Sequence, residues 1–328
     1  MIESNPFETL RQTAAGYCVS RALHIVANLA VADTLDDTPR TAAELATLAG
    51  ANPEALSRVL RLLSAHGIFD SHDGKFTHSS ASRMLRTDHP QSMRDYVRMF
   101  GLSPFWESFD EMEHSVRTGL PAGEKVIAGG LWGYLREHPE ASAIFNATMG
   151  TKAQVQIAAV LGAYDFSEFK LVGDIGGGRG HLLGAVLERV ETAKGVLFDL
   201  PHVIADSAGA TSPRLIRQAG DFFKDKLPAC DLYLVMEVIH DWSDAEAVSI
   251  LKAIRRAAPS HAKLLLIEEM VPDAPGPAWS KVLDIHMLVL IGGKQRTRAE
   301  YEALLDAAGF SLQREIDTGA GISILEAA

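Results

Sequence analysis

Cysteine is nearly absent from this 328-residue chain, and no long apolar run occurs in it. The two cysteines, Cys18 and Cys230, exclude a disulfide framework and a cysteine-only zinc site, and they suit a reducing compartment. No apolar stretch approaches the ~20 residues that a membrane helix needs. The opening MIESNPFETL lacks the basic patch and apolar core of a signal peptide. Positive charge is also short: 31 Lys and Arg stand against 42 Asp and Glu, a net charge of −11. Such a surface repels a polyanion on average. The expectation is a cytoplasmic protein with no membrane and no nucleic-acid partner. No compelling carboxylate or histidine cluster at ligand spacing appears, so no metal is expected. The rest is ordinary globular composition, 47% hydrophobic and 22% charged, at a length that allows two domains of roughly 150 residues each.

Helical periodicity dominates the first hundred residues. Residues 11–32 are rich in Ala, Leu and Val, with expected breaks at Gly16 and near Asp33. Thr41-Ala42-Ala43-Glu44 has the pattern of a capping box, and Asn52-Pro53-Glu54 opens a helix whose Leu56, Val59, Leu60 and Leu63 share one face. Asp73-Gly74 between Ile68-Phe69 and Lys75-Phe76-Thr77 signals a hairpin. Helix, helix and hairpin make a winged-helix pattern. Residues 1–100 hold 10 basic against 11 acidic side chains, which is no footprint for a duplex. Dimerisation or substrate capping suits the region better. Residues 101–160 read as further helices with many aromatics and methionines, mostly core, with a minority suited to a flat apolar pocket. From residue 170 short β-type runs alternate with helices. Strands are expected at Leu171–Ile175, Gly195–Asp199, Leu215–Ala219, Leu232–Met236 and Lys263–Glu268, with helices near 180–190, 201–209 and 244–257. A closing antiparallel pair is expected at Phe310–Ile316 and Ile322–Leu325. Such alternation means a parallel sheet covered on both faces, with ligands at the carboxyl ends of its strands.

The unusual residues sit at those ends. Asp174-Ile175-Gly176-Gly177-Gly178-Arg179-Gly180 carries a glycine turn between strand and helix. The dinucleotide pattern would need glycine at 181, where His181 stands; the G-x-G-x-G turn suits a ligand without phosphates. A ligand-free tight turn has the same sequence. Asp199, followed by Leu200, can accept hydrogen bonds from two ribose hydroxyls or cap the helix at Pro201. Gly220-Asp221-Phe222 can meet an adenine amino group and ring face, or serve as a turn beside core aromatics. His240, with Asp241 and Trp242, follows the fourth strand after Met236. Glu268-Glu269 ends the fifth. A buried strand ending in two carboxylates is well explained if one orients a histidine, since a carboxylate on one imidazole nitrogen fixes the tautomer and favours the cation.

Taken together, these stretches resemble the S-adenosylmethionine-dependent small-molecule O-methyltransferases of the plant caffeic-acid type and their bacterial antibiotic-pathway relatives. The resemblance covers nearly the whole chain, through Phe145-Asn146-Ala147-Thr148-Met149, Asp174–Gly180, Phe198–Val203, Gly220-Asp221, His240-Asp241-Trp242 and Gly292-Gly293-Lys294. It implies a Rossmann-like class I α/β domain with a mostly parallel seven-stranded sheet over 161–328, a winged-helix dimerisation domain over 1–100, a helical pocket-forming region over 101–160, and a homodimer. It implies His240 as general base and Glu268 as the acid holding it. Gln295 stands where the family has a second acid, and Met236 where plant members have a lysine near adenine. The cofactor set is then Asp174, Gly176, Gly178, Asp199, Leu200, Gly220, Asp221, Phe222 and Met236. Asn146, Met149, Trp106 and Asp241 would face the substrate. The expected reaction is in-line methyl transfer from S-adenosylmethionine to the hydroxyl of an aromatic or polyketide-like molecule, leaving S-adenosylhomocysteine. Rival readings are a C- or N-methyltransferase or cofactor-assisted hydroxylase or decarboxylase on the same scaffold, and a winged-helix ligand-sensing regulator.

Overall fold

The computed structural model describes residues 5–205 and 212–328. The end of the helix expected over 201–209 lies outside them; Pro201–Ala205 is helical. The chain groups into two compact units, Met1–Glu107 with Trp132–Met149, and Ser108–Leu131 with Gly150–Ala328. These cuts differ from sequence limits at 100 and 160, because the stretch between them forms no body of its own and its helices join one unit or the other.

In the first unit a helix runs Pro6–Asn28, with the Asn5 side chain accepting from Phe7 N. Gly16 does not break it; at a solvent-facing position one glycine costs only about 1 kcal/mol. The helix is capped at Leu29, and the next residue, Ala30, has a left-handed φ of 51°. The capping box forms as expected, with Thr41 and Glu44 exchanging bonds at the start of Ala42–Ala49. Asn52 caps Pro53–Ala65, whose Leu56, Leu60 and Leu63 are buried. Strands β1 (Arg40–Thr41), β2 (Phe69–His72) and β3 (Lys75–His78) form the small sheet, β1 and β2 each antiparallel to β3. Asp73 and Gly74 both have positive φ, the backbone of a tight hairpin turn. Helices and hairpin close on Leu45, Leu60, Leu63 and Phe69.

The second unit is built on β4 (Leu171–Ile175), β5 (Lys194–Asp199), β6 (Leu215–Ala219), β7 (Leu232–Met236), β8 (Lys263–Glu268), β9 (Leu312–Asp317) and β10 (Ser323–Ala327). Their order is β6-β5-β4-β7-β8-β10-β9. The first five are parallel; β10 runs antiparallel to β8 and β9. Alternation along each strand serves two cores. Tyr233, Val235, Leu264 and Leu266 pack with helices Asp244–Ala257 and Arg298–Ala308. Leu232, Leu234, Leu265 and Ile267 pack with Val160, Leu183 and Leu187. Strand order reverses between β4 and β7, and the crevice at such a reversal is where open α/β sheets take ligands. No described helix is long and apolar enough to cross a membrane.

Candidate active site

The glycine turn follows β4. Asp174 is buried, one of its carboxylate oxygens has no hydrogen-bond partner, and the group is pushed up to about 7 by burial and by the Asp199 charge. A Cβ at Gly177 would overlap the Asp174 carboxylate, so only glycine lets the turn close over this acid. At the end of β5, Asp199 accepts from Gly178 N at 2.8 Å and from Leu200 N at 2.7 Å. It therefore pins the turn instead of capping the helix at Pro201. Gly176 N donates to Phe198 O and Gly220 N to Asp199 O, linking the ends of β4, β5 and β6. Asp221 accepts from Phe223 N at 2.9 Å and pairs with Lys224 at 2.8 Å, so its oxygens are partly engaged already. Phe222 meets Trp242 edge-on, with ring centroids 5.6 Å apart. Met236 ends β7, half-buried.

Across the strand-order reversal, His240 lies in a single turn of 3-10 helix, Ile239–Asp241. It is 8% exposed, and Glu268 is fully buried. Glu268 Oε2 lies 3.0 Å from His240 Nδ1, while its Oε1 accepts from Ile239 N at 2.9 Å. Gln295 Nε2 lies 3.2 Å from the same Nδ1. That nitrogen can donate to the carboxylate or accept from the amide; the buried negative charge of Glu268 favours donation. Nε2 lies 3.3 Å from Asp241 Oδ1. Burial alone would disfavour the imidazolium, but the Glu268 charge and the contacts from Asp241 and Glu268 outweigh it and hold His240 well above its usual value. Proton affinity is thus raised on a group whose second nitrogen lies beside a half-buried acid.

Arg296 was not anticipated from sequence. It is fully buried, and its guanidinium donates to Ile239 O at 3.0 Å, Trp242 O at 2.7 Å, Lys294 O at 3.3 Å and the Asp244 carboxylate at 2.9 Å. Lys294 N adds a bond to His240 O at 2.7 Å, and Asp284 accepts from Gln295 N at 2.9 Å. A Cβ at Gly293 would overlap the His240 carbonyl, so the Gly292-Gly293 turn is what lets this segment lie against the histidine. Arg296 stands three residues past Gly293 among Lys294, Gln295, Thr297 and Arg298, so nothing in the local sequence sets it apart as the buried one. Glu237, which opens the stretch that leads to His240, has no role assigned by the sequence: it follows β7 with a left-handed φ of 51° and is bonded by Lys152 and by Gln156 at 3.2 Å.

Of the four expected substrate residues, Asp241 belongs to the second unit and Asn146, Met149 and Trp106 to the first. Trp106 is covered by Arg21, 5.1 Å from its ring centroid, and meets His24 edge-on. Asn146 lies within 3.4 Å of Ser142 on its own helix. Among the described residues no group of three His, Cys, Asp or Glu side chains could hold a metal ion.

Family models match twice: an O-methyltransferase domain over residues 109–311 and an O-methyltransferase dimerisation domain over residues 11–88. The chain is 39% identical to a phenazine O-methyltransferase of Lysobacter antibioticus, covering 97% of this chain and 95% of that protein. It is 37% identical to an 8-amino-8-demethylriboflavin N,N-dimethyltransferase of Streptomyces davaonensis, over 90% of this chain and 87% of the relative. Among solved structures, an O-methyltransferase from neocarzinostatin biosynthesis, in complex with S-adenosylmethionine and 2-hydroxy-5-methyl naphthoic acid, superposes with a TM-score of 0.77 at 32% identity, covering 95% of this chain and 96% of that one.

Proposed function

We propose how this chain, which belongs to the O-methyltransferase family and is an S-adenosylmethionine-dependent enzyme, carries out its reaction: His240 takes the proton of an aromatic hydroxyl as that hydroxyl is methylated. When bound, S-adenosylmethionine supplies a methyl group on a cationic sulfur. The residues on the glycine-turn side fit such a ligand. Asp174 offers a buried oxygen without a partner, suited to an ammonium, and a nearby cation would return its carboxyl to the charged form. Asp199, already fixed by two amides, has lone pairs left for ribose hydroxyls. Phe222 and Met236 offer apolar surface for the adenine, with Gly220 and Asp221 at its edge.

The single observation that carries the reading is the His240–Glu268 pair. Nδ1–H donates to Glu268, leaving Nε2 to receive the acceptor's proton. A phenol has a pKa near 10. Raising the imidazole's affinity narrows that gap and makes the transfer less uphill. Asp241, beside Nε2, would orient the incoming hydroxyl, and Gln295 keeps Nδ1 in place without adding charge. An amine needs no base before it attacks, so a charged-acid–histidine pair favours a hydroxyl acceptor over the N-methyl reading. Phe109 and Trp279, both packed on His286, give the second unit aromatic surface suited to a flat ring. Hydroxylated aromatics screened with labelled S-adenosylmethionine, products read by mass, test this. No methyl ether from any acceptor would overturn it.

A homodimer belongs to the same proposal. Phe7, Leu10 and Tyr17 are each more than 60% exposed on the first helix, beside a groove lined by Tyr17, Ile25, Val59, Leu62 and Trp106. Apolar surface of that kind marks an interface. Light scattering at micromolar concentration should give twice the 35.4 kDa chain mass. A monomer that retains full activity would refute it.

A further inference from the structure

One polar cluster in the second unit takes no part in holding His240. It lies on the opposite face of the sheet from Glu268. Along β8, Leu264, Leu266 and Glu268 share the face that carries His240, while Leu265 and Ile267 point the other way; Glu269 is the first residue past the strand, with Lys152 and Glu237 among its charged neighbours. At the end of β7, simple alternation would send Glu237 to the His240 face with Tyr233 and Val235. Its left-handed φ of 51° turns it instead onto the helix Pro139–Ala163. There Lys152 Nζ and Gln156 Nε2 donate to Glu237 Oε1. Left-handed backbone is disfavoured for any residue with a Cβ, and such strain concentrates where it serves a site.

The cluster has acceptors left over. Gln156 is 5% exposed, and because its amide nitrogen must face the Glu237 carboxylate, its Oε1 is left buried with no partner. Glu269 is 9% exposed; it feels the charges of Lys152, Glu237 and His240 but receives no hydrogen bond among the described residues. Burial raises its carboxyl above the usual range, the expected response of an acid lacking a donor. Two carboxylates against one lysine leave the group one negative charge in excess. Unpaired acceptors and excess negative charge call for a ligand that brings N–H donors and a positive charge.

We propose that Glu269, Glu237 and Gln156 form a subsite for an ammonium group of a bound ligand, with Lys152 holding Glu237 in place. The proposal rests on the methyl-transfer reading and names the class of acceptor: a hydroxylated aromatic bearing an amine. The cofactor's own α-ammonium has the same chemistry. Asp174 already offers it a place, which assigns the second subsite to the acceptor.

Calorimetry on the intact protein separates the two sources. The wild type, saturated with S-adenosylhomocysteine, is titrated with matched phenols: tyramine against 4-ethylphenol, and 3-(aminomethyl)phenol against 3-ethylphenol. At least one amine should bind about tenfold tighter than its partner, and Glu269→Gln, which keeps the shape and removes the charge, should erase most of that preference. Affinity for S-adenosylhomocysteine should stay the same in the variant. If instead it falls about tenfold and no phenol pair differs, the subsite stands and its ammonium is the cofactor's. If neither changes, the subsite is overturned. A wild type that methylates deamino phenols without any amine preference sinks this inference alone. One that binds amines preferentially but never methylates a hydroxyl sinks the general-base reading alone.

Discussion

The two sides of the strand-order reversal are built differently. On the β4–β5–β6 side the site is mostly backbone: glycines 176–178, Asp199 bonding two amides, and carbonyl-to-amide links between strand ends. On the β7–β8 side it is buried side chains drawn from far apart in the chain: His240, Glu268, Gln295 and Arg296. Backbone-built sites depend on local conformation and tolerate only glycine at the tight points. Side-chain-built sites depend on charges that must stay paired in a dry interior. The first side should therefore lose binding when damaged, the second side chemistry and stability.

The largest expected effect separates those losses. His240→Gln should reduce turnover of a weakly acidic phenol by about 10²–10⁴-fold with unchanged affinity for S-adenosylhomocysteine. Asp199→Ala should do the reverse, weakening that ligand about tenfold or more by calorimetry. The two variants giving the same pattern would erase the distinction. Next comes Arg296→Met. It removes the guanidinium bonds to three carbonyls and to the Asp244 carboxylate, and should destabilise the protein by about 3–5 kcal/mol in urea unfolding. Arg296→Lys should recover part of that; a loss below about 1 kcal/mol for Met would remove Arg296 from the framework of the histidine turn.

Asp174→Asn should act in the opposite direction on stability. The native carboxyl titrates near 7, the unfolded one near 3.8, so the folded state holds the extra proton between them. Stability is therefore lost as pH rises from about 4 to about 7 and is level above. Without the ligand, the asparagine variant should be more stable at pH 8 by on the order of 2–4 kcal/mol and equal to wild type below pH 4, by urea melts at both. Equal gains at the two pH values would show that the carboxyl is not the cause. The smallest effect is Gln295→Glu. A second charge at Nδ1 should raise His240 further and move the acidic limb of the kcat/KM profile to higher pH, by about one unit. In the wild type that limb should already lie above 6.5, since the imidazole must lose its proton before it can act, and Glu268→Gln should bring it down. A limb unmoved by either substitution would mean that His240 is not the titrating base.

Much of the architecture was readable residue by residue. β4, β7 and β8 begin and end where their apolar runs do, because buried parallel strands are continuous hydrophobic segments bounded by polar ends. The Thr41–Glu44 box and the Asp73-Gly74 turn follow from side chains that bond within a few residues. No break forms at Gly16, because a lone glycine in a long helix lowers stability without ending it. The sequence assigns Glu237 no role because no sequence pattern announces a left-handed backbone at a glutamate. It follows from the closure of β7 against β8 and the helix that carries Lys152.

The division is one of distance along the chain. Periodicity, caps and turns act over a few residues, so the order of elements, the glycine turn and the acid at the end of β5 belong to the sequence alone. Whether Asp199 caps a helix or pins a turn, whether Glu268 or Glu269 meets the histidine, and that Arg296 ties together carbonyls at 239, 242 and 294 were decided by tertiary structure. Sequence places charged groups near one another only as types. Which of them share a buried hydrogen bond depends on the face each strand presents and on which carbonyls lack donors once the sheet has closed.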